Sequence, residues 1–126
     1  MAVEITDVHE IAERKGDAAN GHALFLSKRL HSWIYYSSAP GQKNKMHCHS
    51  RDETFFCTEG ECTMHFPDGE TKVIKTGMLA SVTGGTFYYL ENTGDGPMLM
   101  VGSGSGDRKK DAKIDYETRK STRGGA

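Results

Sequence analysis

Residues 41–60 read GQKNKMHCHSRDETFFCTEG and place His47, His49 and Glu53 in close succession between two glycines. On an extended strand, side chains two positions apart leave the same face, so the rings of His47 and His49 project together while Cys48 projects from the other side. Glu53 keeps that parity if the strand runs on or returns through a short bend. Two imidazoles and one carboxylate on one face form a three-ligand set that leaves coordination positions open for water or substrate, as in a reactive metal centre. The two glycines, two histidines and one glutamate would fall in this spacing by chance on the order of 10⁻⁴ times per chain of this composition.

A second glycine-framed stretch follows. Residues 77–92, GMLASVTGGTFYYLEN, resemble the second half of the cupin signature, and residues 41–60 resemble its first half without a mismatch. Gly77, Gly85 and Asn92 stand in register with the second motif. Thr83 stands where the family has a proline, and Tyr88 where it has its third ligand histidine. The resemblance implies an all-β, single-domain jelly-roll barrel with His47, His49 and Glu53 as metal ligands.

The rest of the sequence agrees with a barrel. Candidate strands at 33–38, 45–49, 53–57, 61–66, 70–74, 79–82, 86–90 and 98–101 are separated by turn residues, including Pro67-Asp68-Gly69 and residues 93–97, TGDGP. Regularly spaced short strands broken by glycine-rich turns predict a closed or double-sheet β architecture. At 126 residues the chain is of single-domain size. We divide it into an N-terminal segment 1–20, irregular or with one short helix ending near Gly16, a barrel 21–102, and a polar C-terminal tail 103–126. The tail has seven basic residues against four acidic ones and almost no apolar side chains, which predicts a solvated helix or an arm packed on a partner subunit. The interleaved acids argue against nucleic acid as a partner.

No apolar run reaches membrane-spanning length, and the N-terminus lacks the charged-then-apolar pattern of a secretion signal. Cys48, Cys57 and Cys62 are odd in number and crowd around the candidate site, which predicts reduced thiols and a cytoplasmic protein. Cys48 is expected to pack against a second layer and Cys62 to lie in the core, while His9, His22, His31 and His65 have no paired spacing and read as surface or structural residues. The family resemblance also implies a homodimer, for which the Trp33-Ile34-Tyr35-Tyr36 run offers aromatic surface.

Tyr88 shares a face with Thr86 and Leu90 and is expected to point inward. Four roles are open to it: a phenolate ligand, an outer donor to a bound water, oxygen species or substrate, a general acid or base, or simple filling of the barrel. The substrate pocket is expected to be walled by Phe55, Met64, Phe66 and Leu90, with Trp33 or Tyr35 nearby, and to carry no inward Lys or Arg. Such a cavity suits a small organic molecule with one chelating end. The ligand set favours iron, with manganese, nickel, zinc and copper as alternatives. Three function classes follow: a dioxygenase-type oxidoreductase acting on a small aromatic or keto-acid-like substrate, a non-redox lyase or isomerase, and a metal- or ligand-binding module without turnover.

Overall fold

A computed structural model of the chain describes residues 2–14 and 20–123. The helix α1 (Val8–Glu13) starts where Asp7 accepts hydrogen bonds from the backbone N–H groups of His9 and Glu10 at 3.1 and 3.2 Å, satisfying donors that the first turn leaves without partners. The expected end of this helix near Gly16 lies outside the described residues. Ala12 is its buried residue and packs on Ile34 and Leu99.

Among the described residues eleven strands follow: β1 (Asn20–Leu26), β2 (Leu30–Ser37), β3 (His47–His49), β4 (Glu53–Glu59), β5 (Glu61–His65), β6 (Thr71–Lys75), β7 (Leu79–Val82), β8 (Tyr89–Asn92), β9 (Met98–Ser105), β10 (Lys113–Asp115) and β11 (Ser121–Arg123). One sheet has the order β1-β2-β9-β4-β7, and two three-stranded sheets run β11-β10-β3 and β6-β5-β8. Paired hydrogen bonds between His47 and Tyr88, N to O at 3.0 and 2.9 Å, join the two smaller sheets. The result is two layers of antiparallel strands, the jelly roll that the motifs imply. Between them lies a core that includes Cys57, Cys62, Met64, Ile74, Met98 and Met100. The Glu59-Gly60 connection needs its glycine twice over: Gly60 has φ +79°, and a Cβ there would stand 2.4 Å from the carbonyl oxygen of Pro97.

Several parts differ from the sequence expectation. β1 is a seven-residue strand in a stretch without a recognised signal. β9 continues past Val101 through Gly-Ser-Gly-Ser, beyond the expected strand and into the expected tail, and these residues pair with β2 and β4. The segment expected to be a solvated helix or an arm on a partner instead forms β10, whose Lys113, Ile114 and Asp115 pair with His49, Cys48 and His47. The aromatic run proposed as dimer surface is largely interior, with Ile34 and Tyr35 buried.

Candidate metal centre and cavity

β3 is too short to be held by its own length, and its position comes from its neighbours: Tyr88 on one side and β10 on the other. The strand carries both histidines inward, with ring centroids 5.0 Å apart, as the i, i+2 spacing requires. Residues 50–52 then cross from one layer to the other, so Glu53 faces the histidines from the first position of β4. His49 Nε2 stands 3.8 Å from Glu53 Oε2. All three side chains are buried, and Cys48 between the rings is buried too.

The Nδ1 atom of each ring faces an acceptor that has no proton to give. His47 Nδ1 lies 2.7 Å from the carbonyl oxygen of Lys45, and His49 Nδ1 lies 2.7 Å from Asp111 Oδ2. Each contact suits an Nδ1 that carries the proton, and in that tautomer Nε2 is the nitrogen that can donate a lone pair. This is how metal-binding imidazoles are commonly oriented. Asp111 also accepts from the backbone N–H of Ser50 at 3.2 Å and from its hydroxyl at 3.3 Å. The sequence reading missed Asp111 as a site residue. Its only signal was an acid among basic tail residues, with nothing local to show that the tail returns to β3.

Tyr88 is buried and points inward, in line with its parity. Its hydroxyl donates to Glu53 Oε1 at 2.8 Å. Burial, and then the Glu53 carboxylate, hold the phenol well above its ordinary pKa of 10, which suits Tyr88 as a hydrogen-bond donor to Glu53.

The cavity in front of these residues has a volume of about 390 Å³, within the range of small-molecule sites. Phe55 and Leu90 line it as expected, as do Trp33 and Tyr35. Met64 and Phe66 do not line it: Met64 is buried in the core cluster beside Leu90, and Phe66 packs against that cluster. His22 and His31, expected to be surface or structural, also line the cavity. His31 is buried and lies with its ring centroid 4.7 Å from that of Trp33.

The larger correction concerns charge. Arg51, Arg108 and Lys113 all line a cavity expected to hold no inward Lys or Arg. Arg51 sits on the crossing between layers, where strand parity does not apply. Its guanidinium carbon is 4.8 Å from the centre of the Trp33 ring, with NH1 3.3 Å from Asp111 Oδ2 and NH2 3.4 Å from Glu53 Oε2. Two glycines of β9 make room for this pair. A Cβ on Gly102 would meet the Trp33 indole at 2.3 Å, and one on Gly104 would meet Arg51 Nε at 2.4 Å.

Among the described residues, no three His, Cys, Asp or Glu side chains already stand together as a metal-ligating group. The donor chemistry nevertheless fits a divalent ion. Two donors each about 2.1 Å from one ion stand about 3–3.5 Å apart, close to the His49–Glu53 separation of 3.8 Å. Nitrogen and oxygen donors of this kind suit iron, manganese, zinc, nickel or copper.

Among the described residues no helix is long and apolar enough to cross a membrane. In structure the chain is similar to a double-stranded β-helix protein from Klebsiella pneumoniae subsp. pneumoniae, with a TM-score of 0.77 and 19% identity over 90% of this chain and 99% of that one. It is similar to the DMSP lyase DddQ of Ruegeria pomeroyi, with a TM-score of 0.67 and 20% identity over 82% of this chain and 54% of that one. A mutant of the salicylate 1,2-dioxygenase of Pseudoaminobacter salicylatoxidans gives a TM-score of 0.66 and 21% identity over 77% of this chain and 32% of that one. At these identities the likeness is one of fold. No curated protein matches the chain in sequence. The cupin domain family matches residues 34–102, taking in both glycine-framed motifs and the two layers they connect, and the chain belongs to that family.

Proposed function

We propose that the protein is a metal-dependent cupin enzyme in which His47, His49 and Glu53 hold one divalent transition metal, iron first among the candidates, beside a cavity for a small organic substrate. The observation that carries this reading is the pair of imidazoles with Nδ1 pinned by acceptors, so that Nε2 is the donor nitrogen of each, next to a buried carboxylate. Such an ion supplies Lewis acidity and, if it is iron, a redox centre. The protein's own part is to exclude water, orient the substrate and move a proton. Tyr88 holds that proton 2.8 Å from Glu53 Oε1, with the carboxylate as its relay.

An oxygenase of an aromatic or keto-acid-like substrate is the leading reaction class. Folds of this kind include a salicylate dioxygenase and a DMSP lyase, so fold alone does not choose between oxygenase and lyase. The neutral Tyr88 phenol on a carboxylate favours a second reading, a non-redox lyase or isomerase, because proton transfer at carbon or oxygen is the central step there. A homodimer in the cytoplasm is part of the same proposal, supported by three free thiols and by the general advantage of covering edge strands.

Elemental analysis of the purified protein, paired with oxygen uptake on catechols, keto acids and diketones, tests the reading. Iron near one per chain with substrate-dependent oxygen consumption supports the oxygenase. Manganese, nickel or zinc without oxygen uptake moves the assignment to lyase or isomerase chemistry. Absence of metal under every loading condition overturns the proposal and leaves a ligand-binding barrel.

A further inference from the structure

Arg51 is more than nine-tenths buried, yet its Nε has no hydrogen-bond partner, and its NH1 meets Asp111 Oδ2 at 3.3 Å as an ion pair without hydrogen-bond geometry. Of its N–H donors, those on NH2 reach one acceptor in hydrogen-bond geometry, Glu53 at a long 3.4 Å. Leaving buried charged donors unsatisfied is costly, and such groups in a cavity mark a place where a ligand supplies what the fold does not. Tyr35 is the second case. It lines the same cavity, is more than nine-tenths buried, and its hydroxyl has no partner either.

Both groups sit in a built setting. Gly102 and Gly104 leave the space into which Trp33 and Arg51 lie, and the indole carries the guanidinium on its face at 4.8 Å. Phe55 meets Trp33 edge-on with centroids 5.7 Å apart, adding an apolar wall. The two carboxylates near Arg51 have closer partners of their own: Glu53 is bonded to Tyr88 and Asp111 to His49, at 2.8 and 2.7 Å. Arg51, Arg108 and Lys113 line the cavity beside Glu53.

We propose that the cavity takes a small planar monocarboxylic acid, its carboxylate received by Arg51 and the Tyr35 hydroxyl and its apolar body lying against Trp33, Phe55 and Leu90. This deepens the enzyme reading by naming the substrate class, but it stands on residues other than the imidazoles and predicts recognition whether or not metal is bound. A guanidinium serves this purpose better than an ammonium because its planar fork matches a carboxylate.

Trp33 is the only tryptophan of the chain, so its fluorescence reports this cavity directly. The test titrates the protein with benzoate and with its neutral isostere benzamide, before and after metal removal with EDTA, alongside metal analysis of the same samples. Saturable benzoate binding at least about tenfold tighter than benzamide, the size of one charge-assisted hydrogen bond, supports the proposal if Arg51→Gln loses the preference. Equal affinities, no saturable benzoate binding, or a folded Arg51→Gln variant that keeps the preference overturns it. Should Arg51→Gln fail to fold, Tyr35→Phe decides: it removes a hydroxyl the fold does not use, and benzoate affinity either falls several-fold, in support, or stays unchanged, against. Metal content separates this outcome from failure of the metal reading.

Discussion

Asp111 Oδ2 lies 2.7 Å from His49 Nδ1, joining two buried side chains 62 positions apart in sequence. The contact fixes the tautomer and the ring angle of one candidate ligand from a segment outside the two glycine-framed motifs. Asp111→Asn preserves shape but replaces the carboxylate with a weaker acceptor. Removing such an orienting partner typically costs about 10–100-fold in metal affinity. Competition with a chelator of known affinity measures it. An Asp111→Asn protein that binds metal as tightly as the parent would show that the contact is structural only.

Tyr88→Phe removes the proton that faces Glu53 Oε1. The buried carboxylate oxygen then lacks its donor, and stability falls by about 1–3 kcal/mol, measurable by urea unfolding. If Tyr88 moves a proton during turnover, kcat falls by about 10²–10⁴-fold with metal content unchanged. Loss of metal together with activity would instead make Tyr88 a ligand.

Gly102→Ala places a methyl group 2.3 Å from the indole of Trp33 as it now lies. The ring must move, at a cost of about 1–3 kcal/mol. Trp33 emission should shift and benzoate binding weaken, while a stable protein with unaltered emission would mean that the indole is not seated against β9.

Stability should decline at alkaline pH. Burial pushes the Cys62 thiol up to about 12 from an ordinary 9, and burial, then Cys62, pushes Tyr35 up to about 12 from an ordinary 10. Below pH 9 both groups are protonated in folded and unfolded chains and nothing is lost. Above it the unfolded chain releases protons that the folded one retains. Each group then lowers the unfolding free energy by about 1.4 kcal/mol per pH unit, until its folded pKa is reached. Urea midpoints between pH 8 and 11 follow this, and Cys62→Ala should flatten the slope. An equal slope in that variant would assign the loss to other groups.

Much of the barrel was legible because glycine spacing and apolar alternation are local signals. The i, i+2 histidines needed only strand parity to be placed, and Tyr88 needed only its register against Leu90. What escaped the sequence was decided across the fold. β10 has one apolar residue, Ile114, and exists because the edge of β3 offers it a partner. Arg51 turns inward from a crossing where alternation does not apply. Met64 and Phe66 have inward parity, but parity does not say which inward side chains reach the cavity wall, and theirs stay in the core cluster. Gly102 stood at the end of the expected barrel and Gly104 in the expected tail, with nothing local to show the side chains they accommodate.

The pairing of β3 also sets an order of events during synthesis. The histidine strand takes its main-chain partners from Tyr88 and from β10, both made well after it. On a ribosome delivering about 5–20 residues per second, His47 and His49 emerge seconds before the chain that orients them. If the site holds an ion as proposed, one captured in that interval would meet loose imidazoles and leave again; the oriented pair forms only when the last strands arrive, and metal choice would then belong to the finished protein and the pool around it at that moment.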